Sequence, residues 1–162
     1  MSKYPLEQLQ LIKKRRLEEA EKLLKQRKEE LIQEQKRLKQ VEEERNKTKQ
    51  HRQDKLDQLR EAMDAGEGSK KIDMAKKYLE IVDIDLVKKE QAVKEQVARV
   101  EAAERAVEAA RQDMIKKQHD VEKLKEHKAE WKKEMKAEEV HKDNIVSDEL
   151  GTAMHNLKKR RK

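Results

Sequence analysis

Histidines, carboxylates and a close pair of glycines are the residues of this chain with the most evident chemical potential, and their spacing argues against catalysis. The histidines are His51, His119, His127, His141 and His155, none four residues from another and none inside an HExxH run. Two imidazoles therefore never share one helical face in the way a helical zinc site needs. Cysteine is absent, which removes thiolate ligands and any disulfide framework. The 35 acidic residues act as acids or bases only where a cavity desolvates a pair and shifts its pKa. Gly66-Glu67-Gly68 has neither the length nor the lysine of a phosphate-binding loop. The expectation is a non-enzymatic protein with no metal and no cofactor.

What must hold the remaining side chains is set by composition and period. With 48% charged residues and 2% aromatics, the 162-residue chain has too little apolar surface for an ordinary globular core. It is nevertheless rich in Lys, Glu, Gln, Ala, Arg and Leu, which favour helix over disorder. Leu17, Leu24, Leu31 and Leu38 recur every seven residues, and the track continues through Arg45 and Arg52 to Leu59. Companions on the same face include Leu6, Ala20, Val41 and Ala62. A second track runs Ile72, Leu79, Leu86, Val93, Val100, Val107, Met114 and Val121 and returns at Met135, with Ala75, Val82, Ala103, Ala110, Leu124 and Trp131 beside it. A seven-residue period kept this long is that of a left-handed coiled coil.

The one clear break is Asp64 to Ser69, where two glycines supply the positive φ that ends a helix and Ser69 offers an N-cap. So short a connection makes the two helices antiparallel neighbours. The predicted fold is all-α, a long antiparallel two-helix coiled-coil hairpin, with helix 5–64 started by Pro5, turn 65–69 and helix 70–142. A C-terminal segment, 143–162, is set apart because Asp143, Asn144, Ser147 and Asp148 are poor helix formers; Leu150, Met154 and Leu157 then resume helical spacing. Residue i should lie near residue 135 − i, to within a few positions. That register sets Leu-rich 24–38 against the smaller side chains of Val97 to Ala110, and Tyr4 against Trp131.

Charge marks the candidate surfaces. Residues 1–28 carry nine Lys/Arg against four Asp/Glu, and Lys158 to Lys162 add five more positive charges. In a hairpin both clusters are expected at the end opposite the turn, as one basic tip that steers toward an acidic surface. A protein partner is preferred there, because no stacking aromatics or reading motif for nucleic acid accompany the charge. The aromatic pair Tyr4 and Trp131 either closes the mouth of the coil or offers Trp131 as a partner anchor. Arg45, Thr48, Arg52 and Lys55 occupy seam positions, where buried charge weakens packing and long stems reach outward. Tyr78, Ile81 and Ile84 exceed what one seam buries, and make either a thicker core or a partner site. No run of about 18 apolar residues exists, so no membrane insertion is expected. Without a secretory apolar region near Met1, the protein is expected to be soluble and cytosolic.

Three stretches carry a family resemblance: Lys3-Tyr4-Pro5-Leu6-Glu7 with Ile12-Lys13-Lys14, His127-Lys128-Ala129-Glu130-Trp131-Lys132-Lys133-Glu134, and Asp148-Glu149-Leu150-Gly151 through His155 and Leu157 to the basic tail. Together they resemble the chlamydial branch of the YscO/FliJ family of type III secretion stalk components, over essentially the whole chain. The resemblance implies a coiled-coil shaft that binds a hexameric secretion ATPase through the end carrying both termini. It also implies contacts with an export gate protein and secretion chaperones, in the cytoplasm at the base of a membrane-embedded apparatus. Carried onto this chain, the ATPase-contacting residues would be Tyr4, Leu6, Lys13, Lys14, Arg15, Arg16 and Trp131, and the gate contact would be Tyr78, Ile81 and Ile84. The alternative is a basic-tipped coiled-coil rod that binds nucleic acid or an anionic membrane surface through the same tip.

Overall fold

The computed structural model describes residues 2–161. Two helices account for nearly all of it, α1 from Glu7–Asp64 and α2 from Ser69–Arg160, with no strand among the described residues. They form the antiparallel coiled-coil hairpin that the two heptad tracks require.

The turn is built as the glycines dictate. Gly66 takes φ 68°, a left-handed value that costs an L side chain about 1–2 kcal/mol. Glu67 N donates to Ala62 O at 3.1 Å and Gly66 N to Met63 O at 3.2 Å, the paired bonds of a Schellman motif that satisfy the last carbonyls of α1. On the far side, Lys71 N and Ile72 N both donate to Gly68 O, so Gly68 is the N-cap and Ser69, expected in that role, is the first helical residue. At the other end of α1, Glu7 N donates to Tyr4 O across a short turn at Pro5 and Leu6, and the helix begins two residues after the expected start.

The chain packs as two compact units, Glu21–Gln112, and Met1–Ala20 with Asp113–Lys162. In the first, the buried apolar side chains are Leu24, Leu59, Val82, Val93, Val100, Val107 and Ala110, every one of them on a heptad track. In the second they are Tyr4, Ala20 and Val121. No large side chain is wholly enclosed among the described residues, because a seam between two helices is covered on two sides only. Within each unit the antiparallel register agrees with expectation. The residue numbers of Tyr4 and Trp131, of Glu7 and Lys128, and of Arg52 and Asp83 each total 135.

Two expectations for the C-terminal stretch are corrected. The segment 143–162 is not a separate element, since α2 continues unbroken through Asp143, Asn144, Ser147 and Asp148 to Arg160. Each of those residues costs only about 0.5 kcal/mol in a helix interior, and an established helix propagates without paying nucleation again. Thr152 Oγ1 donates to Asp148 O at 2.9 Å, and Lys158, Lys159 and Arg160 complement the dipole in the last turn. The second correction follows from the first. The two basic clusters do not share one tip: Lys158 lies 38 residues beyond Asp120, the partner of Lys13, which is ~57 Å along a helix.

Candidate partner-binding surfaces

The aromatic pair anticipated between the helices forms, and a histidine joins it. Tyr4 is 5% exposed, its ring edge-on to Trp131 with centroids 5.3 Å apart and tilted against His127 at 5.7 Å. The Tyr4 hydroxyl and His127 Nδ1 share a hydrogen bond of 2.5 Å. Lys128 lies 5.8 Å from the Tyr4 centroid and pairs with Glu7 at 3.1 Å, so a cation covers the ring while an acid holds the cation. The sequence brings this about simply: His127, Lys128 and Trp131 fall within one turn of α2, and Pro5 turns the chain so that Tyr4 meets them. Tyr4 thereby fastens the N-terminus to α2, whereas Trp131 remains half-exposed. Beside them opens a groove of about 810 Å³, more apolar than polar, lined by Tyr4, Trp131 and Met135 and rimmed by Lys3, Lys128, Lys132 and Lys136 with Glu7 and Glu139. Glu7 is taken up by Lys128, and the other lysines outnumber Glu139, so an apolar side chain flanked by acidic groups is the chemistry that complements it.

The remaining candidates at this end divide by exposure. Leu6 is half-buried, and Lys13 is half-buried and paired with Asp120 at 3.5 Å. Lys14, Arg15 and Arg16 are exposed, and none of them pairs with a carboxylate within salt-bridge distance among the described residues. They present three uncompensated cations on consecutive positions of α1. Leu9, Leu11 and Ile12, exposed on the preceding turn, add apolar surface that the sequence reading did not assign.

Inside the unit Glu21–Gln112 lies the second surface. Tyr78, Ile81 and Ile84 are 42%, 63% and 60% exposed, so the extra apolar residues face outward and do not thicken the core. A groove of about 600 Å³ runs along them, bounded by Lys47, His51, Asp85 and Lys88. Tyr78 is fixed at its edge: its hydroxyl and His51 Nε2 share a 2.8 Å hydrogen bond, the rings meet at 86°, and Lys55 lies 5.5 Å from the Tyr78 centroid. The charged seam positions resolve as their long stems allow. Arg52 is half-buried with its guanidinium on Asp83, and Lys89 reaches Glu44 at 3.7 Å.

Two buried polar residues escaped the sequence reading. Gln96 is 3% exposed and donates to Glu34 O at 3.0 Å and to the Glu34 carboxylate; Gln10 is 6% exposed. Both stand at positions that the heptad tracks reach, three after Val93 and seven before Leu17, so extending each track through its polar members identifies them. Among the described residues no cluster of three or more metal-ligating side chains occurs, and no helix is long and apolar enough to cross a membrane.

A family model described as YscO-like protein matches residues 1–161. A solved structure from Chlamydia trachomatis, described as that of CT670, a proposed YscO homolog, is similar at 38% sequence identity with a TM-score of 0.92, covering 100% of both chains. No curated protein matches the sequence.

Proposed function

The chain belongs to the YscO-like family, and from that premise we propose that it serves as a stalk component of a type III secretion system. In this reading it is not an enzyme. It works in the cytoplasm at the base of the membrane-embedded apparatus, where it binds the hexameric secretion ATPase and couples it to the export gate protein and to secretion chaperones. The observation that carries the reading is the surface at Tyr4 and Trp131. A half-exposed tryptophan borders a lysine-rimmed apolar groove, and Lys14, Arg15 and Arg16 stand unpaired on α1. Large aromatic and arginine side chains of this kind dominate protein interfaces, and the cationic rim accelerates encounter with an acidic partner. The groove along Ile81 and Ile84 is the better candidate for a gate or chaperone contact, since those two isoleucines face outward from the seam that Val82 between them joins.

Mixing the chain with its cognate ATPase tests the reading. Expected are saturable binding and a changed hydrolysis rate, both weakened at least tenfold by Trp131→Ala combined with Arg15→Glu and Arg16→Glu. These positions are half-exposed or exposed, so helix content should stay the same. Absence of ATPase binding by the wild type, with steeply salt-dependent binding to DNA or to anionic vesicles, would favour the basic-rod alternative.

A further inference from the structure

We propose that the last stretch of α2 is a self-association surface, on which residues 143–161 pair antiparallel with the same residues of a second copy of this chain. Val146, Leu150, Ala153 and Leu157 follow four-three-four spacing and so form one stripe along the helix, with Met154 at its margin. The large members are 53%, 59%, 59% and 66% exposed at Val146, Leu150, Leu157 and Met154, and every residue from Lys136 to Arg161 is exposed. This stripe is not the tail of the intramolecular seam. The seam track passing through Val121 and Met135 continues as Lys142, Glu149 and Asn156, all polar. Leu150 and Leu157 stand one residue out of step with it, on a face that α1 does not reach.

The charge pattern selects the occupant. The segment begins acidic, with Asp143, Asp148 and Glu149, and ends basic, with Lys158, Lys159, Arg160 and Arg161. Parallel pairing would stack each cluster on its own kind. Antiparallel pairing sets Val146 against Leu157 of the second copy, and the same register sets Leu150 against its Ala153 and Asp143 against its Arg160. Every such contact occurs twice about the two-fold axis. Leucine opposite alanine is the large-against-small fit that lets helices approach closely. The second copy thus supplies a matching stripe and, where Asp143 meets Arg160, an opposite charge at each end of it. Nineteen residues span only ~28 Å of helix, so the interface falls in the small, reversible class.

Sedimentation equilibrium of the full chain, from roughly 5 to 500 μM, reads this directly, and a mass rising from one chain to two with concentration is expected. Leu150→Glu with Leu157→Glu should hold the mass at one chain across the range. Its circular dichroism should not change, because both residues are solvent-facing. Asp143→Lys or Arg160→Glu alone should weaken association at least fivefold, and the two together in one chain should restore it, which only the antiparallel register allows. A single-chain mass throughout, a dimer that survives the two glutamates, or a double charge reversal weaker than either single one would overturn the proposal. This inference stands independently of the stalk reading, because no ATPase enters the experiment.

Discussion

Replacing Gly66 by alanine should destabilise the hairpin by about 1 kcal/mol through backbone conformation alone. At φ 68° an L residue costs about 1–2 kcal/mol. Alanine also narrows the unfolded ensemble, which offsets about 0.4–1 kcal/mol of that. No steric contribution adds to it, for a Cβ at Gly66 meets nothing within 4 Å. Gly68 is the comparison: its surroundings are equally open, its φ is not left-handed, and the cost of alanine at an N-cap is largely offset by the narrower unfolded ensemble, so Gly68→Ala should change stability by less than about 0.5 kcal/mol. Asparagine, which tolerates the left-handed region better than alanine, should recover part of the loss at position 66. Urea unfolding followed by circular dichroism at 222 nm measures the difference. For a slope near 2 kcal/mol/M, Gly66→Ala lowers the midpoint by ~0.5 M. An unmoved midpoint for Gly66→Ala, or a larger loss at Gly68 than at Gly66, would refute the assignment of the turn's strain to one residue.

Other consequences follow from the same geometry. Tyr4→Phe should cost about 1 kcal/mol by removing the bond to His127, and Tyr4→Ala should shift the emission of Trp131, the sole tryptophan, to longer wavelength as the edge-on ring is lost; unchanged fluorescence in Tyr4→Ala would show that the two rings do not meet in solution. Gln96→Leu should leave stability level or raise it while loosening the register, because a buried polar seam residue fixes alignment at some cost in stability; spin-label distances between positions 30 and 100 should broaden, and an equally sharp distribution would count against a register role. Ile81→Asp with Ile84→Asp should alter the unfolding free energy by less than about 0.5 kcal/mol per substitution, as exposed substitutions do, yet abolish binding of whichever partner uses that groove. A large loss of stability there would mean that the groove belongs to the core.

Much of this protein is decided locally, and local decisions are legible in a sequence. A heptad track is a statement about one helix: Leu24, Leu59, Val93, Val100 and Val107 are buried because seven-residue spacing keeps them on one face whatever that face meets. Two glycines in three residues end a helix wherever they occur, and a short turn admits one topology, so the hairpin and its register followed without coordinates. The length of α2 is less legible for a related reason. Asp143, Asn144, Ser147 and Asp148 are poor helix formers taken singly, whereas a helix already formed carries such residues through at small cost.

Only the folded arrangement settled which side chains each seam encloses and which it leaves out. That Tyr4 is spent on His127 and Trp131 while Trp131 keeps a free edge depends on a contact between residues more than 120 positions apart. That Tyr78, Ile81 and Ile84 face outward depends on how wide a seam two helices can close. That the final basic cluster stands tens of ångströms from Lys13 depends on α2 continuing past the start of α1. Periodicity assigns each residue a face on its own helix; the reach of the opposing helix decides whether that face is covered, and no single helix encodes it.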